Sequence, residues 1–137
     1  MNFKLFLDKK NVIAVVGASD NREKYGNIIY RDLRSSNYKV FPVNPKVEIV
    51  EGDKCYYTLS EIPIKVSVVN TVVPPFVTEQ IVKECKELGI DKVWMQPGSE
   101  SEKAIAFCKE NGIDVIYENC IMTQRRLLEA EQETKTC

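Results

Sequence analysis

Histidine is missing altogether from this chain of 137 residues. Without an imidazole it can run no Ser-His or Cys-His relay, offer no histidine metal ligand and carry no phosphohistidine. Paired cysteines are missing too: the five present are odd in number and lack short spacings, the pattern of reduced thiols rather than a disulfide framework or a zinc site. Nor is there an excess of either charge. With 19 Lys and Arg against 20 Asp and Glu, the net charge is -1, so no overall field holds a polyanion. Nucleic acid is therefore not expected as a partner, and any anion must be gripped locally. Apolar runs stop well short of the ~18 residues of a membrane span, and residues 1–11 are too short and too charged for a secretory signal. The expectation is a cytoplasmic protein with no membrane contact.

What is present is enough apolar residue for one real core: 44% of the chain is hydrophobic and 28% charged, which fits a single domain over residues 1–137. Val12-Ile13-Ala14-Val15-Val16 reads as a strand buried on both faces, expected to be the first and central one. A helix follows over 26–36, then the strand Lys39-Val40-Phe41-Pro42-Val43. A short edge strand is expected at 54–57 and a helical turn at 59–62. The next strand spans 66–73 and is stopped by Pro74-Pro75. A helix at 77–88 buries Val77, Ile81, Val82, Cys85 and Leu88, and a strand at 91–95 follows it. A capping box from Ser99 to Glu102 opens another helix, residues 113–117 make the last strand, and a charged helix starts at about 122. Alternating strands and helices with short connections predict an α/β, Rossmann-like, doubly wound open parallel sheet.

Ligands of such sheets lie beyond the carboxyl ends of the strands, where the strand order reverses. After the first strand come Gly17, Ala18 and Ser19, then a polar loop with Arg22, Lys24 and Tyr25, then Gly26 at the helix start. Two glycines allow close backbone approach, helix-start N–H groups favour phosphate oxygens, and two cations lie beside them. The same residues also make an ordinary strand-to-helix turn. The second strand ends in Asn44, Pro45 and Lys46, without the carboxylate that grips the ribose of NAD. A lysine there suits a phosphorylated ribose such as that of coenzyme A or NADP, or stands on a plain Asn-Pro turn. Val73, Pro74 and Pro75 offer a rigid apolar wall or a helix-starting turn. Met95, Gln96, Pro97 and Gly98 end the fourth main strand without an acid, base or nucleophile, and their loop also leads into the next helix.

Cys120 follows the last strand by three residues and belongs to the same rim. It can face the thiol end of a coenzyme or simply pack, and neighbouring Glu118 works against its thiolate. Cys85 and Cys108 fall on inward helical faces. Arg125 and Arg126 can reach a phosphate or stand solvated on the terminal helix.

Val16-Gly17-Ala18-Ser19, Pro42-Val43-Asn44-Pro45, Val73-Pro74-Pro75, Val93-Trp94-Met95-Gln96-Pro97-Gly98 and Cys120-Ile121-Met122 together resemble the stand-alone CoA-binding protein family. The resemblance runs in unbroken order from about residue 10 to about 128. Through it the chain is also similar to the CoA-binding domain of succinyl-CoA synthetase and of ADP-forming acyl-CoA synthetases. The resemblance implies coenzyme A or an acyl-CoA as ligand and no catalysis by the domain itself. It further implies diphosphate on residues 17–19 and the loop to Gly26, phosphorylated ribose near residues 44–46, and pantetheine past residues 73–75 and Gln96. Two other classes compete: an NADP-dependent oxidoreductase fragment, which needs a second substrate-binding segment, and a CoA-binding subunit of an acyl-CoA synthetase completed by a partner. Gly17→Val is expected to abolish binding in a domain that still folds, because a branched side chain fills the space a diphosphate needs.

Overall fold

The computed structural model describes residues 1–136. Seven strands and five α-helices follow in the order α1 (Phe3–Phe6), β1 (Val12–Val16), α2 (Tyr25–Ser35), β2 (Lys39–Val43), β3 (Ile49–Val50), β4 (Asp53–Lys54), β5 (Val68–Thr71), α3 (Pro75–Leu88), β6 (Lys92–Met95), α4 (Glu102–Glu110), β7 (Asp114–Ile116) and α5 (Ile121–Thr136), with a 3-10 turn at Leu59–Glu61 before β5. Five strands make one parallel sheet in the order β2-β1-β5-β6-β7.

The alternation within β1 explains why helices cover both faces. Ile13 and Val15 join a core with Ile29 and Leu33 of α2, Trp94 and Ile121. Ala14 and Val16 point the other way, into a core with Val82 and Cys85 of α3 and Cys108 of α4. Each face excludes water only because its helix presents an apolar stripe at helical spacing. This is the doubly wound parallel sheet expected from the sequence.

Several details differ from the expectation. β1 lies second from one edge, and β5 occupies the middle. Both strands are flanked and covered alike, so apolarity does not tell them apart. In place of an edge strand at 54–57, β3 and β4 form an antiparallel hairpin whose turn residues Glu51 and Gly52 both have positive φ, 50° and 81°. That combination gives the tight turn favoured by the twist of hairpins. Only Tyr56 reaches the main sheet, bridging to Val43. α3 starts at Pro75, two residues early, because proline suits a first helical position. The cap of α4 is Ser101, whose Oγ accepts the Ala104 N–H at 3.0 Å. Ser99 cannot serve, since its buried hydroxyl lies 2.8 Å from the Gln96 carbonyl and 3.0 Å from that of Thr71.

The opening segment, where no element was expected, forms α1 and lays Phe3 and Phe6 against Trp94, with ring centroids 5.6 and 5.9 Å away. Arg125 is neither solvated nor free for a ligand. It is 8% exposed and grips Asp32 of α2 through Nε and Nη2 at 2.8 and 2.9 Å, and Glu129 through Nη1 at 2.7 Å, fastening α5 to α2. Arg126 is exposed, 3.8 Å from the same Asp32. No helix among the described residues is long and apolar enough to cross a membrane. Cys137, the fifth cysteine, lies outside the described residues.

Candidate functional site

The chain leaves β1 toward one face of the sheet and leaves the adjacent β5 toward the other, so a crevice opens between their carboxyl ends. A cleft of about 650 Å³ occupies that crevice. One wall is the β1–α2 loop, with Gly17, Ser19, Lys24, Tyr25 and Gly26; Asn44, Pro45 and Lys46 after β2 form a second, and Val73 and Pro74 after β5 a third. These ten residues, expected from the sequence to meet a ligand, are brought together.

Two glycines make the first wall thin. Gly17 has φ 98°, its N–H donates to the Val43 carbonyl at 2.9 Å, and a Cβ there would stand 2.2 Å from the Val72 carbonyl oxygen. A Cβ on Gly26 would stand 2.0 Å from the Gly17 carbonyl oxygen. Helix α2 therefore packs directly on the loop backbone. The expectation for Gly17→Val is corrected accordingly: the clash is with the domain's own backbone, so the variant cannot separate binding from folding. No side chain caps α2; the Asn27 N–H turns back to the Lys24 carbonyl at 3.0 Å, which leaves the N–H groups of Tyr25 and Gly26 at the helix start for the cleft.

Asn44 bridges two walls. Its Nδ2 donates to the Ala18 carbonyl at 2.8 Å and its Oδ1 accepts the Lys46 N–H at 2.9 Å, so it ties the first wall to the second. Lys46 carries the charge on that wall.

The remaining expected residues lie elsewhere. Ala18 and Met95 are fully buried and belong to the packing beneath the cleft, not to its wall. Arg22 stands outside the lining, its Nη2 3.3 Å from Glu51 Oε1. Pro75 opens α3. Gln96, Pro97, Gly98 and Cys120 also lie outside the lining. Gln96 and Cys120 meet beyond the β6 and β7 ends, where Gln96 accepts the Ile121 N–H at 2.8 Å and donates to Cys120 Sγ at 3.5 Å. Burial opposes ionisation of Cys120, but hydrogen bonds from Gln96, from the Thr123 and Met122 backbone and from the Thr123 side chain outweigh it and bring the thiol below its ordinary range. The adjacent Glu118 does not prevent this. By contrast, burial raises Cys55 and Cys85 and pushes Cys108 up to about 12, as fits packing residues.

Sequence reasoning missed the far end of the cleft: Tyr57, Thr58 and Leu59 on one side, and Val77, Gln80, Ile81 and Glu84 of α3 on the other. Val77 and Ile81, expected on the buried face of α3, line the cleft instead. The usable signal was their helical spacing immediately after the Val73-Pro74-Pro75 wall, with Gln80 and Glu84 on the adjoining stripe. Burial raises the Glu84 carboxyl, while the Leu59 N–H, 3.2 Å from Oε1, pulls it back. No group of three His, Cys, Asp or Glu among the described residues could hold a metal ion.

An open parallel sheet with a glycine-walled cleft at its switch point defines a Rossmann-like ligand-binding domain. A family model described as CoA binding domain matches residues 11–126, and the chain belongs to that family. Among curated relatives, the uncharacterized protein YneT of Bacillus subtilis is 30% identical over 118 residues, covering 86% of this chain and 87% of its own length. The alpha subunit of the ADP-forming acetate–CoA ligase II of Pyrococcus furiosus is 39% identical over 82 residues, 59% of this chain but 18% of that protein. The corresponding ligase of Methanocaldococcus jannaschii matches over 11% of its length. The chain thus spans a small fraction of the ligases it resembles. Among solved structures, a conserved hypothetical protein of Pyrococcus furiosus is 46% identical, with a TM-score of 0.80 over 83% of this chain and 98% of its own. One from Pyrococcus horikoshii OT3 is 32% identical, with a TM-score of 0.87 over 93% and 92%.

Proposed function

We propose that the chain binds coenzyme A or an acyl-CoA in the cleft and does no chemistry on it alone. The observation that carries this reading is the convergence of a β1–α2 loop thinned by two glycines and an uncapped helix start on one cleft that also holds Lys24 and Lys46. Backbone N–H groups and a helix start suit a diphosphate, and Lys46 suits a ribose phosphate. Val73, Pro74, Val77 and Ile81 offer apolar surface to a base, with Gln80 as a hydrogen-bonding edge. The pantetheine arm leaves CoA at the diphosphate, and in this reading it passes from the β1–α2 loop toward the rim that holds Gln96 and Cys120. Binding without catalysis fits the lack of histidine and the state of the cleft's polar groups: Ser19 Oγ accepts the Asn21 N–H, and Glu84 accepts the Leu59 N–H. The similarity to ADP-forming ligases favours a second reading, in which a partner chain uses the bound CoA.

Titration calorimetry with CoA and dephospho-CoA tests the ligand. CoA is expected to bind roughly tenfold tighter, the worth of one screened charge-assisted contact, and Lys46→Ala to erase most of that preference. Equal affinities for the two ligands in the parent protein would remove Lys46 from the ribose phosphate. No binding of either would remove the reading as a whole.

A further inference from the structure

Asn27 is an unexpected residue for its place. It is wholly buried in the first turn of α2, where an apolar side chain would cost less. All its polar atoms are used. Nδ2 donates to the Ser19 carbonyl at 2.9 Å and to Glu51 Oε2 at 3.0 Å, and Oδ1 accepts from Arg31 Nε at 2.6 Å. Two acceptors on the nitrogen and a donor on the oxygen fix which way round the amide sits. Arg31 also donates to the Arg22 carbonyl at 3.2 Å, while Arg34 donates to the Glu51 carbonyl at 3.0 Å. The hairpin turn at Glu51 is thus bound to α2 and, through Asn27, to the β1–α2 loop.

The consequence lies in which way the loop's carbonyls face. The Gly17 carbonyl is packed under Gly26, Ala18's is held by Asn44, Ser19's by Asn27 and Arg22's by Arg31. Asn27, Arg31 and Glu51 do not line the cleft, so the Ser19 and Arg22 oxygens are drawn to its far side. A carbonyl oxygen turned into the cleft would repel an anion, whereas one turned away leaves the field to the N–H groups.

We infer that Asn27, locked by Glu51 and Arg31, is a positioning residue that turns the Ser19 carbonyl away from the cleft and so favours the diphosphate of its ligand there. This rests on the CoA-binding reading above. Titrations with CoA and with 3′-AMP, which keeps the base and ribose phosphate but has no diphosphate, separate positioning from general damage. Asn27→Leu is expected to weaken CoA by about tenfold or more, the worth of a charge-assisted contact, and to leave 3′-AMP unchanged. Glu51→Asn tolerates the positive φ but is too short to reach Asn27, and it provides the same test if the buried substitution does not fold. Glu51→Gln keeps an acceptor for Asn27 and is expected to restore CoA binding. Equal losses for CoA and 3′-AMP, or unchanged CoA affinity in folded Asn27→Leu or Glu51→Asn, would overturn the inference while leaving CoA as the ligand. A parent protein that binds no CoA would overturn both.

Discussion

Cys120 is the residue whose chemistry most depends on its neighbours. Its carbonyl accepts the Gln124 N–H at 3.1 Å, so it sits at the mouth of α5, where helix N–H groups and the Gln96 amide stabilise a thiolate. With a CoA disulfide, the Cys120 thiolate would attack one sulfur, form a protein–CoA mixed disulfide and release the other half as CoA thiolate. Peptide mass spectrometry after a short exposure should find the adduct at Cys120 before Cys55, whose burial holds the thiol protonated. Adducts at Cys55 or Cys137 with Cys120 unmodified would reject this, as would a Cys120→Ser variant that labels as readily as the parent. The place of Cys120 just after the last strand was legible in the sequence. Its acidity was not, because Gln96 lies 24 residues away in the chain and meets it only once β6 and α5 have packed.

Among the elements, the β3–β4 hairpin was poorly legible and carries two carboxyls, Glu51 and Asp53, held below their ordinary values. Its strands are two residues each, too short for any alternation to register, and its turn is formed by an ordinary Glu-Gly pair. The longer strands were legible because continuous apolar runs need cover on both faces. Their order was not, since it depends on the side to which each crossover returns. In the hairpin, the hydrogen bond from the Tyr30 hydroxyl and the contact with Arg34 hold the Asp53 carboxyl below its ordinary value against the opposing effect of burial. Glu51 is lowered chiefly by Asn27, against desolvation, with help from Arg22, Arg31 and Arg34. A carboxyl with a depressed folded-state pKa stabilises the fold above its unfolded-state pKa, and that contribution is lost as the pH falls through the folded-state value. Melting temperature should therefore fall as the pH drops below about 4, and Asp53→Asn should lower it by a few degrees at pH 7 while flattening the acid limb. An acid limb as steep in Asp53→Asn as in the parent would show that the carboxylate pair is not its source.

For the molecule as a whole, a ligand that binds only the folded state adds about 2.7 kcal/mol of stability at one hundred times its dissociation constant, a rise of roughly 8 °C in melting temperature at this size. Saturating CoA is expected to produce such a rise, and an unchanged melt would count against the cleft as its site. The cleft's position in the chain adds a further consequence. Its walls run from Val16 to Glu84, and β6, α4, β7 and α5 contribute none of them. β7 stands two strands away from β5, at the far edge of the sheet. Amide hydrogens that exchange by local opening at that edge gain nothing from an occupied cleft, whereas those of β1, β2, β5 and the start of α2 open only after the ligand has left. A filled molecule should thus breathe unevenly, the strands and helix start that wall the cleft slowed by the ligand while the far edge of the same sheet keeps its own tempo.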